Sequence, residues 1–286
     1  MAGETTTARR GLRPAEITQG TLVWTALLIG AAFSLLPYLW MVSSSLKTND
    51  DMYSATIQFL PSQIRWDNYV RAWSTAPVGR SLLNSVIVAS GCTVGNLAFS
   101  VLTAYAFARL RFRGREILFL AILGTMMIPH QATLIPTFIL MRWFGLVDSY
   151  PGLILPGMIT AFGIFLMRQF FLGIPTELED AARVDGCGRI RCLIKIMLPL
   201  CGPALSALAI FTFTQTWNDF FWPLIIVRSS HMGTIQILIS ALKAQDLVDW
   251  GALMATVTIA ATPTMILFVS LQRYFVRGIV MTGLKG

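Results

Sequence analysis

Of the 286 residues, 55% are apolar and 13% charged, against roughly 45–50% and about 25% in soluble domains, which excludes a water-soluble globule and implies an integral membrane protein. The formal charge of +8 is accounted for by basic loops beside anionic headgroups, without nucleic acid. No GxxxxGK followed by Ser or Thr occurs, which excludes a P-loop phosphate cradle, and the two histidines, His130 and His231, lie in different regions and complete no Ser–His nucleophile arrangement.

About 20 apolar residues cross the hydrocarbon, and six segments have that length: 22–45, 83–108, 117–141, 152–172, 202–227 and 251–272. They predict an all-α bundle of six membrane helices, one domain over 1–286, with no linker, low-complexity run or repeat. The first segment is too long for a signal peptide, and no small-residue cleavage site follows it. Between the first and second spans, Trp66, Tyr69 and Trp73 surround Asp67, a candidate N-cap. This predicts a short amphipathic helix resting on the membrane or on a partner. In the third span Pro129 and Pro136 bracket His130, Gln131 and Thr133. Proline there frees carbonyls that need shelter from lipid, so His130 and Gln131 are candidates for a pathway wall, with interhelical hydrogen bonding as the alternative.

Residues 173–199 predict a helical hairpin outside the membrane. Thr176 and Glu179 have capping-box spacing, and Glu177, Glu179 and Asp180 crowd the first turn, where the helix dipole favours acids. Gly186 can take the left-handed conformation that ends a helix. Ile190, Leu193, Ile194, Met197 and Leu198 then recur at helical spacing as one apolar face. On the first helix Leu178, Ala181, Ala182 and Asp185 share a face whose alanines leave room for another protein. In the fifth span Trp217, Asn218, Asp219 and Trp222 combine aromatic faces with an amide and a carboxylate. That mixture suits sugar faces and hydroxyls in a pathway, or anchoring at the outer headgroups. From 228 to 250 the run TIQILISAL, with Ile237, Leu238 and Ser240, is too short to span, so it folds back on the bundle or meets a partner.

With a cytoplasmic N-terminus, 15 of the 22 basic residues fall in inside segments, among them Arg109, Arg111, Arg113, Arg115, Arg183 and Arg189. The outside holds seven: Lys47, Arg65, Arg71, Arg80, Arg142, Arg228 and Lys243. This bias places both termini and the hairpin in the cytoplasm. Cys92, Cys187, Cys192 and Cys201 then sit where no oxidising compartment pairs them, and Cys187 and Cys192 lack the flanking ligands of a zinc site, so no metal is expected.

The order Asp180, Ala181, Ala182, Gly186, Leu198, Pro199 resembles the EAA loop of ABC importer permeases, with Asp180 where that family usually has Glu. LPYLWMVSSSLKT at 36–48, AYAFARLRFRGR at 104–115, MMIPHQATLIP at 126–136, WNDFFWPL at 217–224 and the terminal LKG are similar to its carbohydrate-uptake branch, nearest the second permease of maltose-type and glycerol-3-phosphate-type importers. The resemblance implies a non-catalytic subunit in the cytoplasmic membrane. Its partners would be a second, different permease, two ATPase subunits and an extracytoplasmic solute-binding protein. ATP and Mg would be bound by the ATPases, and no cofactor by this chain. Glu179, Asp180, Ala181, Ala182, Asp185 and Gly186 would form the ATPase-coupling helix. Arg277, Gly283 and Lys285 in the tail would make a second ATPase contact, and Ile237, Leu238 and Ser240 would face the solute-binding protein. The expected cargo is a sugar or oligosaccharide, with glycerol-3-phosphate or a glycerophosphodiester as the alternative. A membrane-embedded enzyme or a secondary transporter would need a converging catalytic pair, or internal repeats and coupling-ion sites, which the residues do not display.

Overall fold

A computed structural model describes residues 14–54, 56 and 58–283, with side chains described for 22–54, 56 and 58–273. Lys285 and the basic residues Arg9, Arg10 and Arg13 lie outside the described residues, as does the side chain of Arg277; Gly283 closes the last helix. All regular structure among the described residues is helical.

Helix α1 (Pro14–Ser45) packs along the last helix, and its most apolar stretch is entirely exposed, as a lipid-facing span requires. After α2 (Asn49–Tyr53), α3 (Asp67–Thr75) folds onto the bundle. Its buried Asn68 donates to the carbonyls of Ser45 (2.8 Å) and Lys47 (2.9 Å), and Arg71 pairs with Asp249 at 2.7 Å. Asp67 is not the N-cap. Trp66 holds that position in a helical conformation, and the Asp67 carboxylate turns to Arg65 at 3.6 Å instead.

Helix α4 (Val78–Arg109) is the central rod, 32 residues long. The third apolar run is not one rod. It divides into α5 (Arg115–Thr125) and α6 (His130–Trp143), which meet at 101°. Pro129 has no N–H and disfavours helix at the residue before it, so the break falls at its position. The fourth run also bends, by 46°, between α7 (Tyr150–Ile154) with its 3-10 turn Leu155–Gly157 and α8 (Ala161–Leu172). Thr160 restarts the helix there, its Oγ1 accepting from Gly163 N at 3.0 Å.

The hairpin comprises α9 (Glu177–Val184), α10 (Arg189–Cys192), a π turn Leu193–Met197 and α11 (Leu198–Leu200). An 80° turn leads into α12 (Gly202–Trp217), where the fifth helix ends. The expected continuation to 227 is broken over 218–220 before α13 (Phe221–Ile226). Next comes α14 (Ile235–Lys243), which lies back against α4 and α15 (Trp250–Gly283).

Helices α8 and α12 flank α4, and α15 packs on α12. At one end Tyr105, Met167, Phe171, Leu193, Met197 and Leu208 form a buried cluster that joins the hairpin to these helices. At the other end polar groups take over. Asn84 Nδ2 donates to His231 O (2.8 Å) and Gly233 O (2.9 Å), its Oδ1 accepts from Tyr150 OH (2.7 Å), and Ser85 Oγ accepts from Ile235 N (2.8 Å). These bonds fix α14 in place. Ile237 and Leu238 are half-buried and Ser240 is exposed.

Asn84→Leu would leave the buried Gly233 carbonyl and the Tyr150 hydroxyl unpaired, while His231 O keeps its bond from Arg80 Nε at 3.2 Å, at about 1–3 kcal/mol for each buried group lost. A clear fall in the thermal midpoint of the detergent-solubilised protein is expected, together with faster proteolysis near 228–234. An unchanged midpoint and cleavage pattern would contradict the role given to Asn84.

Candidate functional site: a pinned hairpin and a polar cleft

Helix α9 ends in a glycine-dependent cap. Gly186 has φ +78°, Gly186 N donates to Arg183 O at 3.0 Å, and Cys187 N donates to Ala182 O at 2.9 Å. This is the paired Schellman pattern, and a side chain at Gly186 would strain it. The start of α9 differs from the expected capping box. Thr176 is itself helical (φ −69°, ψ −26°) and its side chain makes no cap bond. The reason is that the Glu179 carboxylate, only 3% exposed, is drawn inward to Arg109.

That inward turn builds the most buried ion pair of the described residues. Arg109 Nε lies 2.6 Å from Glu179 Oε1, with side-chain exposures of 8% and 3%. Neither atom has a hydrogen-bond partner, so this contact is ionic in character. The remaining valences are engaged locally. Arg109 Nη2 donates to Phe171 O (2.7 Å) and Ile174 O (2.6 Å), the last carbonyls of α8 and its exit. Tyr105 OH donates to Glu179 Oε2 at 3.3 Å, and Arg183 stands 3.8 Å from the same oxygen. One arginine therefore joins the end of α4, the end of α8 and the first turn of α9.

The outer surface of the hairpin is apolar and unpaired. Val184 is 88% exposed, Ile190 72%, Ile194 56% and Leu178 45%. Ala181, Asp185 and Gly186 are exposed beside them, and Asp180 is held by Arg183 at 3.2 Å. Ala182 does not share this face: it is buried against the bundle. The expected single apolar face after Gly188 is likewise divided, with Leu193 and Met197 buried and Ile190 and Ile194 outside. The π turn at 193–197 shifts the register between them.

Above the hairpin, between α4, α8 and α12, lies a cleft of about 540 Å³ lined by Asn96, Thr160, Phe162, Phe211, Thr212, Thr214, Gln215 and Asn218. Asn96 is about 20 Å along α4 from Arg109, at about 1.5 Å per residue, which is mid-membrane depth. Its Nδ2 donates to Thr212 Oγ1 (2.8 Å), and its Oδ1 accepts from Ser100 Oγ (2.9 Å) and Thr160 Oγ1 (3.1 Å). Gly163 makes this network possible. A Cβ there would collide with Ser100 Oγ and come within 2.8 Å of Asn96 Oδ1. Phe162 and Phe211 stand edge to face at the mouth, their centroids 5.9 Å apart.

Of the residues expected to line a pathway, only Asn218 reaches this cleft. Trp217 points away: it is 3% exposed, stacks on Phe213 and donates from Nε1 to Ala260 O at 3.1 Å. Asp219 accepts from Trp222 N at 3.3 Å, which starts α13. His130 and Gln131 are exposed in the first turn of α6, outside the lining of the cleft. Asn96, Thr160, Phe162, Phe211 and Gln215 were not singled out by sequence, because they are scattered over three separate apolar runs. The spacing of Asn96 and Ser100, one helical turn apart, is the signal that could have marked α4.

Residues 96–281 match the family described as "Binding-protein-dependent transport system inner membrane component". The chain is 36% identical to the arabinooligosaccharides transport system permease protein of Halalkalibacterium halodurans, over 94% of this chain and 99% of that one. It is 37% identical to the sn-glycerol-3-phosphate transport system permease protein of Yersinia pestis bv. Antiqua (strain Antiqua), over 89% and 93%. Among solved structures it superimposes on a chain of a bacterial ABC transporter that imports the acidic polysaccharide alginate, with TM-score 0.78, 26% identity and coverage of 93% and 99%. Family match, near-full-length relatives and fold agree: this multi-pass membrane chain belongs to the binding-protein-dependent transport system inner membrane component family.

Proposed function

We propose that this chain is one permease half of an ATP-binding-cassette importer that carries a sugar or oligosaccharide across the cytoplasmic membrane. The observation that carries the reading is the hairpin: Leu178, Val184, Ile190 and Ile194 are exposed apolar side chains on a hairpin whose first helix is locked to the bundle by the buried Arg109–Glu179 pair. An apolar patch at the water-facing end of a membrane bundle suits a protein partner. The pinned helix suits passing that partner's movement on to α4 and α8. The partner is an ATPase subunit, which supplies ATP and Mg, while a second permease completes the pore. The family match and the relatives' names support this division of labour.

The 15 to 7 division of basic residues supports cytoplasmic termini and a cytoplasmic hairpin. A solute-binding protein on the other face fits the family description, and it fits a bacterial alginate ABC transporter solved in complex with a periplasmic protein that holds an alginate pentasaccharide. In this chain the segment holding Ile237, Leu238 and Ser240 stands at the end of the bundle opposite the hairpin and is our candidate for that contact.

Two outcomes test the reading. Val184→Asp places a charge in the proposed docking face without touching the core. Burial of such a side chain contributes about 1.5–3 kcal/mol, so ATPase association should weaken about tenfold or more, and transport should fall with it. Normal co-purification of the ATPases and normal uptake would contradict the docking role. The second outcome concerns thiols in single-cysteine variants. Cys187 is half-exposed, whereas Cys192 is 1% exposed and burial, seconded by the Glu179 carboxylate, pushes its thiol up. Since the thiolate is the reactive form, an impermeant maleimide should label Cys187 at least about tenfold faster than Cys192, and only from the cytoplasmic side. Labelling of Cys187 from outside in sealed cells would reverse the topology.

A further inference from the structure

We infer that the cleft between α4, α8 and α12 is a subsite for one neutral sugar ring of the cargo, carried by this subunit itself; the inference rests on the importer reading above. Four observations converge on it. First, the cleft is polar at a depth where polar side chains are costly unless they face a bundle interior or a water-filled cavity. Second, its lining includes no charged side chain, so it offers no counter-charge to a phosphate or carboxylate. Third, its polar groups divide into two kinds. Asn96 is spent inward on Thr212, Ser100 and Thr160 and serves as scaffold. The Gln215 side chain makes no hydrogen bond within the described residues and is exposed to the cleft. Asn218 is exposed beside it and keeps one light contact, to Gln236 at 3.3 Å, besides its bond to Thr214 O.

The fourth observation is the pair of aromatic rings. Phe211 is 53% exposed and Phe162 39% exposed although both stand at the cleft, and their edge-to-face arrangement leaves a ring face available. An aromatic face beside the unbonded amide of Gln215 and the exposed amide of Asn218 matches the two surfaces of a pyranose or furanose: C–H bonds on one side, hydroxyls around the rim. A volume of about 540 Å³ lies within the roughly 300–1,000 Å³ of small-molecule sites. In this arrangement the ring stacks on Phe211, Gln215 and Asn218 exchange hydrogen bonds with its hydroxyls, and Asn96 fixes the wall behind them. Because α4 and α8 carry the wall at one level and the hairpin pin at another, movement of the hairpin alters the cleft directly.

The test uses the complete transporter, with both permease halves, the ATPases and the solute-binding protein, in proteoliposomes. Uptake of maltotriose, arabinotriose and sn-glycerol-3-phosphate is measured beside ATP hydrolysis. The variants are Phe211→Ala, Gln215→Ala and the conservative Phe211→Tyr. Phe211 and Gln215 are both exposed, so truncation opens no core cavity. At limiting sugar, each alanine variant should lower uptake of the saccharide that the wild type carries by about threefold to tenfold, the effect of losing one aromatic or hydrogen-bonding contact. Phe211→Tyr should restore most of it. Hydrolysis stimulated by the loaded binding protein should stay within about twofold of wild type, since the variants leave the pin and the docking face intact. Unchanged uptake in both alanine variants overturns the subsite. Equal loss of uptake and of stimulated hydrolysis also overturns it, assigning the cleft to contact with the second permease. A wild type that carries only sn-glycerol-3-phosphate overturns the neutral-sugar class while leaving the importer reading standing. A wild type with no ATP-dependent uptake of any solute tested, despite binding by its solute-binding protein, overturns the importer reading itself.

Discussion

The contact between Arg109 and Glu179, 2.6 Å apart and almost wholly buried, is the constraint around which the hairpin end of this bundle is organised. Burying two charges costs several kcal/mol each in desolvation, and attraction returns that only with good geometry and further hydrogen bonds. Here the returns are visible. Two carbonyls at the end of α8 accept from Arg109, and a tyrosine hydroxyl donates to Glu179. The net gain in stability of such a pair over a packed apolar pair is small, whereas the geometry it enforces is specific. Each end of the pair belongs to a different element, so α9 cannot slide or roll on α4 without parting a buried charge from its partner. An apolar contact would tolerate such sliding.

That rigidity matters because the remainder of the bundle is built to bend. Two of the six apolar runs are broken at angles of 101° and 46°, and an 80° turn sets the hairpin off from α12, each beside a proline or glycine that releases backbone groups. In a hydrocarbon environment those groups must be satisfied within the protein. The structure meets this with caps such as Thr160 to Gly163 and with polar side chains such as Asn84 on carbonyls of the 231–233 turn. The breaks also separate a long, straight α4 from its shorter neighbours. In the reading proposed above, a displacement at the hairpin would have one continuous helix to follow, from Arg109 at its end to Asn96 in the cleft wall. A pinned lever beside jointed partners would suit the rigid-body movements of the importer proposed above.

What was legible in the sequence follows from how local each feature is. The apolar runs, the end of α9 at Gly186 and the return of α14 to the bundle depend on composition, on one glycine conformation and on length, all of which are local. The straightness of the runs was not legible at 117–141, because Pro129 and Pro136 are equally suspect and only packing decides which one breaks the helix. The capping box at Thr176 had the right spacing, but Glu179 had a stronger partner 70 positions earlier in the chain. Helical spacing offers Ala182 to a partner and the chemistry of 217–222 offers Trp217 to a pathway or to the outer headgroups, yet both turn inward because a neighbouring helix is there to receive them. The cleft was the least legible feature. Asn96, Thr160 and Thr212 come from three separate helices, and nothing short of the tertiary fold joins them.

The most direct test of the central claim is the stoichiometry of ATP hydrolysed per solute moved in reconstituted transporter carrying Glu179→Ala, with Arg109 left in place. Removing one partner of a buried pair costs about 3–5 kcal/mol, so the hairpin should still dock on the ATPases but lose its fixed register on α4. The account predicts that hydrolysis stimulated by the loaded binding protein persists while solute uptake falls, raising the ATP cost per solute several-fold. An unchanged ratio, in a variant that assembles normally, would show that the movement reaches the pathway by some other contact and would contradict the account.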